Sequence, residues 1–343
     1  MAERTLVDSI WWGAGAGARF ARMLLVPFST IFAMIVTVRN ALYDRGALLS
    51  RVPRLPAISV GNLTVGGTGK TPVSSWLAMQ LQARGMRPSI VLRGYGDDEP
   101  LVHARLTPSI PVFVNANRLE AIERAAAAGA DVAVLDDAFQ HRRVARAADV
   151  VLVSADVADS SERPLPAGPY REPSTSLARA SLVVVTRKSA STERARTVAE
   201  RARAVAPAVP VAIMHLALDT VHFEGLPTAS LASIAGRHVL AIAGIGNGAA
   251  FGAQLREAGA TVRMRAYPDH HPFTAADARA LARDLAPIEI ALCTLKDAVK
   301  LLPLWPREAA PLGYVSQAVI VEEGGDAINA ILDLVINASP RQL

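Results

Sequence analysis

The chain has 343 residues, half of them apolar, and a formal net charge of +5. That length suits two domains of ordinary size with sizeable cores, and the single cysteine, Cys293, excludes a disulfide framework and agrees with a reducing compartment. The basic charge suits anionic lipid or a phosphorylated substrate, whereas no aromatic-interleaved basic stripe or nucleic-acid module occurs, so nucleic acid is not an expected partner.

Residues 23–38 carry no charge and lie between Arg22 and Arg39. The run is short of the roughly 20 residues a spanning helix wants, and Pro27 near its start marks a first turn or a kink. Arg19 and Arg22 precede it, and Arg39, Arg45, Arg51 and Arg54 follow, so a span would push one basic cluster outward. It starts too late for a cleavable signal and has no small-residue cleavage site after it. Trp11, Trp12, Phe20 and Phe28 add interfacial aromatics. The expectation is an interfacial or half-inserted helix on the cytoplasmic, anionic face of a membrane; a packing helix and a true span are the alternatives.

From residue 57 onward, short apolar runs alternate with alanine- and arginine-rich helical stretches. Strands are predicted at 58–60, 90–92, 112–114, 132–135, 150–153, 182–185 and 211–214, and helices at 72–84, 118–128 and 192–205. Continuous apolar strands separated by helices predict a parallel sheet covered on both faces. Residues 217–229, with a Gly-Leu-Pro break, read as a connector. A second alternating unit follows, with strands at 239–243, 261–266 and 288–294 and helices at 249–258 and 274–285, the last capped by Thr274. Gly244-Ile245-Gly246-Asn247-Gly248 reads as a tight turn at a strand's carboxyl end. Cys293 falls within a buried strand and reads as a small core residue. The fold class expected is therefore α/β: a P-loop NTPase-like parallel sheet core, a second smaller α/β lobe and an N-terminal membrane-associated helix. The expected division is 1–45, 46–216 and 217–343.

The run Thr64-Val65-Gly66-Gly67-Thr68-Gly69-Lys70-Thr71 sits between the first strand and a helix. Small residues there let backbone N–H groups wrap nucleotide phosphates, Lys70 reaches the outer phosphates, and the Thr71 hydroxyl can ligate Mg²⁺. Thr64 stands where the phosphate-loop pattern wants glycine. The strand ending in Asp136-Asp137 suits an acid that holds Mg²⁺ directly or through water, or a pair that caps the next turn. Arg93-Gly94-Tyr95-Gly96-Asp97-Asp98-Glu99-Pro100 follows another strand end and offers a carboxylate to deprotonate an attacking hydroxyl, or an acidic surface turn. His141 follows the acidic pair. Asp269-His270-His271 places an acid and two imidazoles ahead of the capped helix, and the adjacent histidines do not suit one metal. Arg163 and Arg171 ride a proline-rich loop, and Lys296 ends the second unit's last predicted strand; each could meet an anion or be structural.

Together these strings resemble the tetraacyldisaccharide 4′-kinase family of the lipid A pathway. The resemblance covers nearly the whole chain: the apolar N-terminal helix, Ser59-Val60-Gly61-Asn62 through Lys70-Thr71-Pro72, Arg93-Gly94-Tyr95-Gly96, Asp98-Glu99-Pro100, Asp136-Asp137 with Phe139-Gln140-His141, Leu165-Pro166-Ala167-Gly168 with Arg171-Glu172-Pro173, Asp269-His270-His271, and Lys296-Asp297-Ala298-Val299-Lys300. Thr64 is also what this family looks like. The resemblance implies transfer of the ATP γ-phosphoryl group to the 4′-hydroxyl of a tetraacylated glucosamine disaccharide 1-phosphate, giving lipid IVA, at the cytoplasmic face of a bacterial inner membrane. It implies that Asp98 activates the hydroxyl with His270 as partner, and that Lys70, Thr71 and the Asp136–Asp137 pair hold Mg-ATP. Glu99 is a further metal-side candidate, and Arg93, His141, Arg171 and Lys296 are candidate contacts to substrate or phosphate. The implied partners are the lipid acceptor and an anionic membrane surface, with no obligate protein partner.

Two departures stand out. The family usually carries an insertion where this chain runs Gly96-Asp97-Asp98-Glu99, so Asp98 is preferred to Asp97 as base by its distance from Glu99-Pro100. Ala138 replaces a glycine after the acidic pair, which is tolerable unless that position needs φ > 0. The competing class is a membrane-bound P-loop NTPase switch acting on a protein partner, which gives Asp98 and His270 no role; a nucleotide-dependent scaffold is a third.

Overall fold

The computed structural model describes residues 6–94, 98–157, 162–285 and 289–338. Its elements in chain order are α1 (Leu6–Trp12), α2 (Ala16–Asp44), β1 (Ala57–Asn62), α3 (Lys70–Ala83), β2 (Pro88–Leu92), α4 (Asp98–Leu106), β3 (Val112–Val114), α5 (Arg118–Ala127), β4 (Val132–Asp136), β5 (Ala148–Ser154), β6 (Leu182–Arg187) and α6 (Thr192–Val205). There follow β7 (Val211–Phe223), β8 (Ala229–Ser230), β9 (His238–Ala243), α7 (Gly248–Glu257), β10 (Thr261–Ala266), α8 (Ala275–Asp284), β11 (Glu289–Thr294), α9 (Leu295–Leu301), β12 (Leu312–Glu323) and α10 (Gly325–Asn337). By their contacts the described residues form two units. The first holds residues 6–94, 103–215 and 321–338, and the second 98–102 and 216–320.

In the first unit the strands run in the order β7-β6-β5-β1-β4-β2-β3 and pair in parallel throughout. Strands β1, β2 and β4 are buried at every residue, which is why they read as unbroken apolar runs. One face packs on Ala121, Ile122 and Ala125 of α5. By the strand register the same face, farther along the sheet, packs on Ala195, Ala199 and Ala202 of α6, whose small residues at helical spacing let that helix lie close to the sheet. From β1 the chain leaves toward β2 and β3, whereas from β4 it returns past β1 toward β5 and β6, and ligands gather beyond the carboxyl ends of strands at such a switch point.

In the second unit β9 lies between β10 and β11, and β11 pairs with β12, all in parallel. Alternation along β9 divides the core. Val239, Ala241 and Ala243 pack with Phe251 and Leu255 of α7, while Leu240 and Ile242 pack with Ala278 and Leu281 of α8. Helix α8 is capped by Thr274, as the sequence predicts, and Asp277 completes a capping box with it. Cys293 is fully buried, and burial pushes its thiol well up.

The connector reading of 217–229 is corrected. Strand β7 is a single element through Phe223, with β8 antiparallel to its end. Leu216 and Val221 are buried, so β-forming residues continue the strand and only the Gly225-Leu226-Pro227 stretch turns. The acidic run before Pro100 is also more than a surface turn, because Asp98 opens helix α4.

Candidate functional site

In the first unit Gly69 caps α3 at φ 90°, a conformation glycine adopts without strain, and the chain passes into helix at Lys70, two residues before the predicted start. Thr64, Val65, Gly66 and Gly67 face solvent in whole or part, Thr68 and Gly69 are buried, and Thr71 is half-buried in the first turn. The loop is held from two sides. Val65 N–H donates to Pro169 O at 2.8 Å and Arg171 N–H to Leu63 O at 2.7 Å, so the proline-rich loop backs its entry. Thr186 Oγ1 donates to Thr68 O at 2.8 Å and Lys188 Nζ to Gly67 O at 3.2 Å.

The acidic pair divides its labour. Asp136, 4% exposed, accepts on Oδ1 from Ser74 Oγ at 3.0 Å and from Asp137 N–H at 2.9 Å, and its Oδ2 meets His103 Nε2 at 2.9 Å. Asp137 stays open, its side chain 36% exposed, with Lys70 Nζ 3.9 Å away. Arg171 grips it with both ends of its guanidinium, at 2.8 and 3.1 Å. Burial raises the Asp137 carboxyl, but Lys70, Arg171 and Arg118 outweigh it and hold the group below its usual range. Lys70 also donates to Asn62 Oδ1 at 3.3 Å. An open carboxylate beside a lysine and a helix-start threonine is a hard-oxygen donor set that fits Mg²⁺ bound with nucleotide phosphates.

In the second unit Asp98 is 5% exposed, and neither of its oxygens has a hydrogen-bond donor. His270 Nδ1 stands 3.3 Å and Lys300 Nζ 3.8 Å from Asp98 Oδ2. Lys296 Nζ lies 2.9 Å from His270 Nε2 and 3.1 Å from Asp269 Oδ1. An ammonium only donates, so Nε2 accepts and the imidazole proton sits on Nδ1, facing Asp98. His271 points elsewhere, toward Asp277 at 3.6 Å and against Tyr267 and Phe273. Behind this cluster, the fully buried Asp297 accepts Gly244 N–H at 2.9 Å, and a side chain at 244 would meet its Oδ1 at 2.9 Å. The Gly244–Gly248 run is therefore a tight packed turn, and burial raises the Asp297 carboxyl despite the Thr294 hydroxyl, Gly244 N–H and two lysines.

Among the described residues, the only non-glycine positions with positive φ are Asp137 at 48° and His270 at 58°, one in each cluster. Such backbone persists only where its surroundings enforce it, and it concentrates at functional sites. Ala138 is not among them, so alanine serves there in place of glycine.

Lys70, Thr71, Asp136, Asp137 and Arg171 thus belong to one cluster, and Asp98, His270 and Lys296 to another. Glu99 is half-buried in the first turn of α4, in the second unit, whereas the acidic pair belongs to the first. Arg93 is exposed at the end of β2, and Asp97, Tyr95 and Gly96 lie outside the described residues. Among the described residues no group of three or more His, Cys, Asp or Glu is arranged to hold a metal by itself. Sequence reasoning missed His103, Ser74, Asn62, Lys188 and Lys300 as site residues. One signal was present: the chain's four lysines, scarce beside its arginines, all stand in these two clusters.

Residues 21–98 and 96–336 match the family described as tetraacyldisaccharide-1-P 4′-kinase. A tetraacyldisaccharide 4′-kinase of Anaeromyxobacter dehalogenans (strain 2CP-1) is 36% identical over 365 residues, covering 96% of this chain and 95% of the relative. One of Azoarcus sp. (strain BH72) is 38% identical over 357 residues, covering 97% and 96%. A crystal structure of LpxK from Aquifex aeolicus in complex with ATP is 27% identical, with a TM-score of 0.72, over 92% of this chain and 99% of that one. The resemblance carried by the motifs and these likenesses along the whole length agree: this chain belongs to the tetraacyldisaccharide 4′-kinase family.

Proposed function

We propose that this protein transfers the γ-phosphoryl group of ATP to the 4′-hydroxyl of a tetraacyldisaccharide 1-phosphate, forming lipid IVA. The full-length family match carries the reading, and the phosphate loop before an open Asp137 supports it. The NTPase-switch alternative is not favoured by that match. Residues 1–45 are read as a membrane-associated segment, 46–216 as the kinase core and 217–343 as the C-terminal lobe, with 98–102 grouped by contacts into the second unit and 321–338 into the first.

Residues 64–71 take the phosphates, with Lys70 on the outermost. Thr71 and Asp137 would hold Mg²⁺, which would supply charge neutralisation at the phosphate oxygens, and Asp136 orients its neighbour. Asp98 accepts the proton of the 4′-hydroxyl as that oxygen bonds to the γ-phosphorus and the bond to the β–γ bridging oxygen breaks, releasing ADP. A buried carboxylate that accepts no hydrogen bond is free to take a proton, and His270 Nδ1, 3.3 Å from its Oδ2, stands close enough to pair with it by charge. The test is transfer of ³²P from γ-labelled ATP to the disaccharide in neutral detergent micelles with Mg²⁺, alongside Lys70→Ala. Labelled lipid that is lost in the variant supports the kinase; free phosphate without labelled lipid rejects it.

Helix α2 is long and apolar enough to cross a membrane, yet its anchoring supports a surface-lying role. Phe20, Met23, Phe28, Met34 and Ile35 are each about 60% exposed. On the opposite side Ser29 Oγ donates to Pro164 O at 3.0 Å and accepts from Ala167 N–H at 2.9 Å, while Asn40 Nδ2 donates to Glu172 at 3.0 Å. Three turns of helix are thereby tied sideways to the phosphate-loop unit, leaving one apolar face for the anionic cytoplasmic leaflet. Co-sedimentation with phosphatidylglycerol vesicles, lost in Phe28→Glu/Ile35→Glu, is the expected result; undiminished sedimentation counts against it.

A further inference from the structure

Arg39 on α2, Arg51 on the segment after it, and His141 and Arg143 beyond the acidic pair line one cavity of about 860 Å³ in the first unit. Its neighbours Arg142 and Arg146 are neutralised, by Asp44 at 2.7 Å and Asp149 at 2.9 Å. Among the described residues no carboxylate stands within 4.0 Å of the Arg39, Arg51 or Arg143 guanidinium; Arg39 donates only to Gln140 O, at 2.6 Å, and lies over the Tyr43 ring. Three unpaired guanidiniums around one cavity make a standing positive potential. His141 registers it, its imidazole held down to about 4 by burial and then by Arg118, Arg146, Arg143 and Arg39. Leu48 and Leu49, 38% and 80% exposed, line the same cavity and add an apolar side to the cationic one.

Cations beside exposed leucines suit an amphiphile with an anionic head, and the volume is in the range of small-molecule sites. The cavity is also joined to the phosphate chemistry. Seven residues lead from Asp137 to Arg143, turned tightly by His141 N–H donating to Ala138 O at 2.8 Å. One wall is the start of α5, whose Arg118 reaches Asp136 O at 3.5 Å. The acceptor's 1-phosphate and 4′-hydroxyl lie at opposite ends of its disaccharide, so a group recognising the first must stand off from the second. We propose that this cavity holds the 1-phosphate end of the lipid acceptor, with Arg39, Arg51 and Arg143 on the phosphomonoester and Leu48 and Leu49 against the nearest acyl carbons. The assignment rests on the kinase reading and names what determines its acceptor.

Arg51→Gln/Arg143→Gln changes two exposed side chains and should fold with an unchanged melting curve. In neutral detergent micelles the acceptor KM is expected to rise at least tenfold with the ATP KM unchanged, and Arg51→Lys/Arg143→Lys to recover most of the loss. On a disaccharide lacking the 1-phosphate, wild type and variant should be equal; an equal loss on both acceptors overturns the proposal. An unchanged KM in neutral micelles with weaker sedimentation on anionic vesicles also overturns it, in favour of bilayer head groups. Acceptor binding to the ATP-free enzyme reads the cavity separately from the reaction: retained binding in the Gln variant sinks the assignment, whatever the transfer assay returns.

Discussion

His103 Nε2 lies 2.9 Å from Asp136 Oδ2, and the same imidazole meets Ser75 Oγ through Nδ1 at 2.8 Å. Both His103 and Asp136 are buried. The histidine sits on α4, the helix that Asp98 opens. It fixes the inner acid of the pair and leaves Asp137 as the carboxylate open to a metal. Removing one partner of a buried polar pair costs about 1–3 kcal/mol. His103→Leu is therefore expected to destabilise by that amount in urea unfolding and to raise the Mg²⁺ concentration for half-maximal activity several-fold. An unmoved Mg²⁺ requirement would reduce His103 to a packing role.

Asp98 and His270 should act as one unit. Asp98→Asn is expected to lower kcat about 10²–10⁴-fold, the usual worth of general acid–base catalysis, with little change in ATP KM. His270→Ala should lower it less, and the double variant should be no worse than Asp98→Asn alone. Additive losses in a double-mutant cycle would show that the histidine does not act through the aspartate.

Arg171 grips Asp137 with both nitrogens, and that fork matters beyond its charge. Arg171→Ala is expected to cost about 10–100-fold in activity, in the range seen when the hydrogen-bond partner of a ligating carboxylate is removed, and Arg171→Lys to recover only part. Steady-state kinetics at saturating Mg²⁺ check this, and full recovery by lysine would reject the geometric argument.

His141 gives the fold an acid-sensitive limb. Its folded-state value is depressed to about 4 from 6.5, by burial first and then by four arginines. The unfolded chain therefore binds more protons between those values, and this contribution is present above about 6.5 and lost as the pH falls to about 4. His141→Asn should flatten the fall in melting temperature across that interval while leaving it unchanged at pH 8. Parallel curves for the two proteins would remove His141 as the cause.

The local signals were strong where chemistry demands a short string. Strand β1, the glycine-rich turn and Lys70-Thr71 were legible because a phosphate loop needs its residues consecutive, and β9 and β11 because buried parallel strands read as unbroken apolar runs. Strand β7 beyond residue 215 and helix α4 were not legible. Their residues alternate or carry acids, and only tertiary burial of Leu216, Val221, Asp98 and His103 reveals them as elements.

By itself the sequence determined the α/β class, the phosphate loop, the acidic strand end and the amphiphilic N-terminus, since each is written in neighbouring residues or in a fixed period. Tertiary structure alone decided which acid of the pair is open, that His271 turns instead toward Asp277, and that Arg39, Arg51 and Arg143 enclose one cavity without a carboxylate among the described residues. Those choices depend on distances between residues far apart in the chain, and no spacing along the chain encodes a distance across the fold.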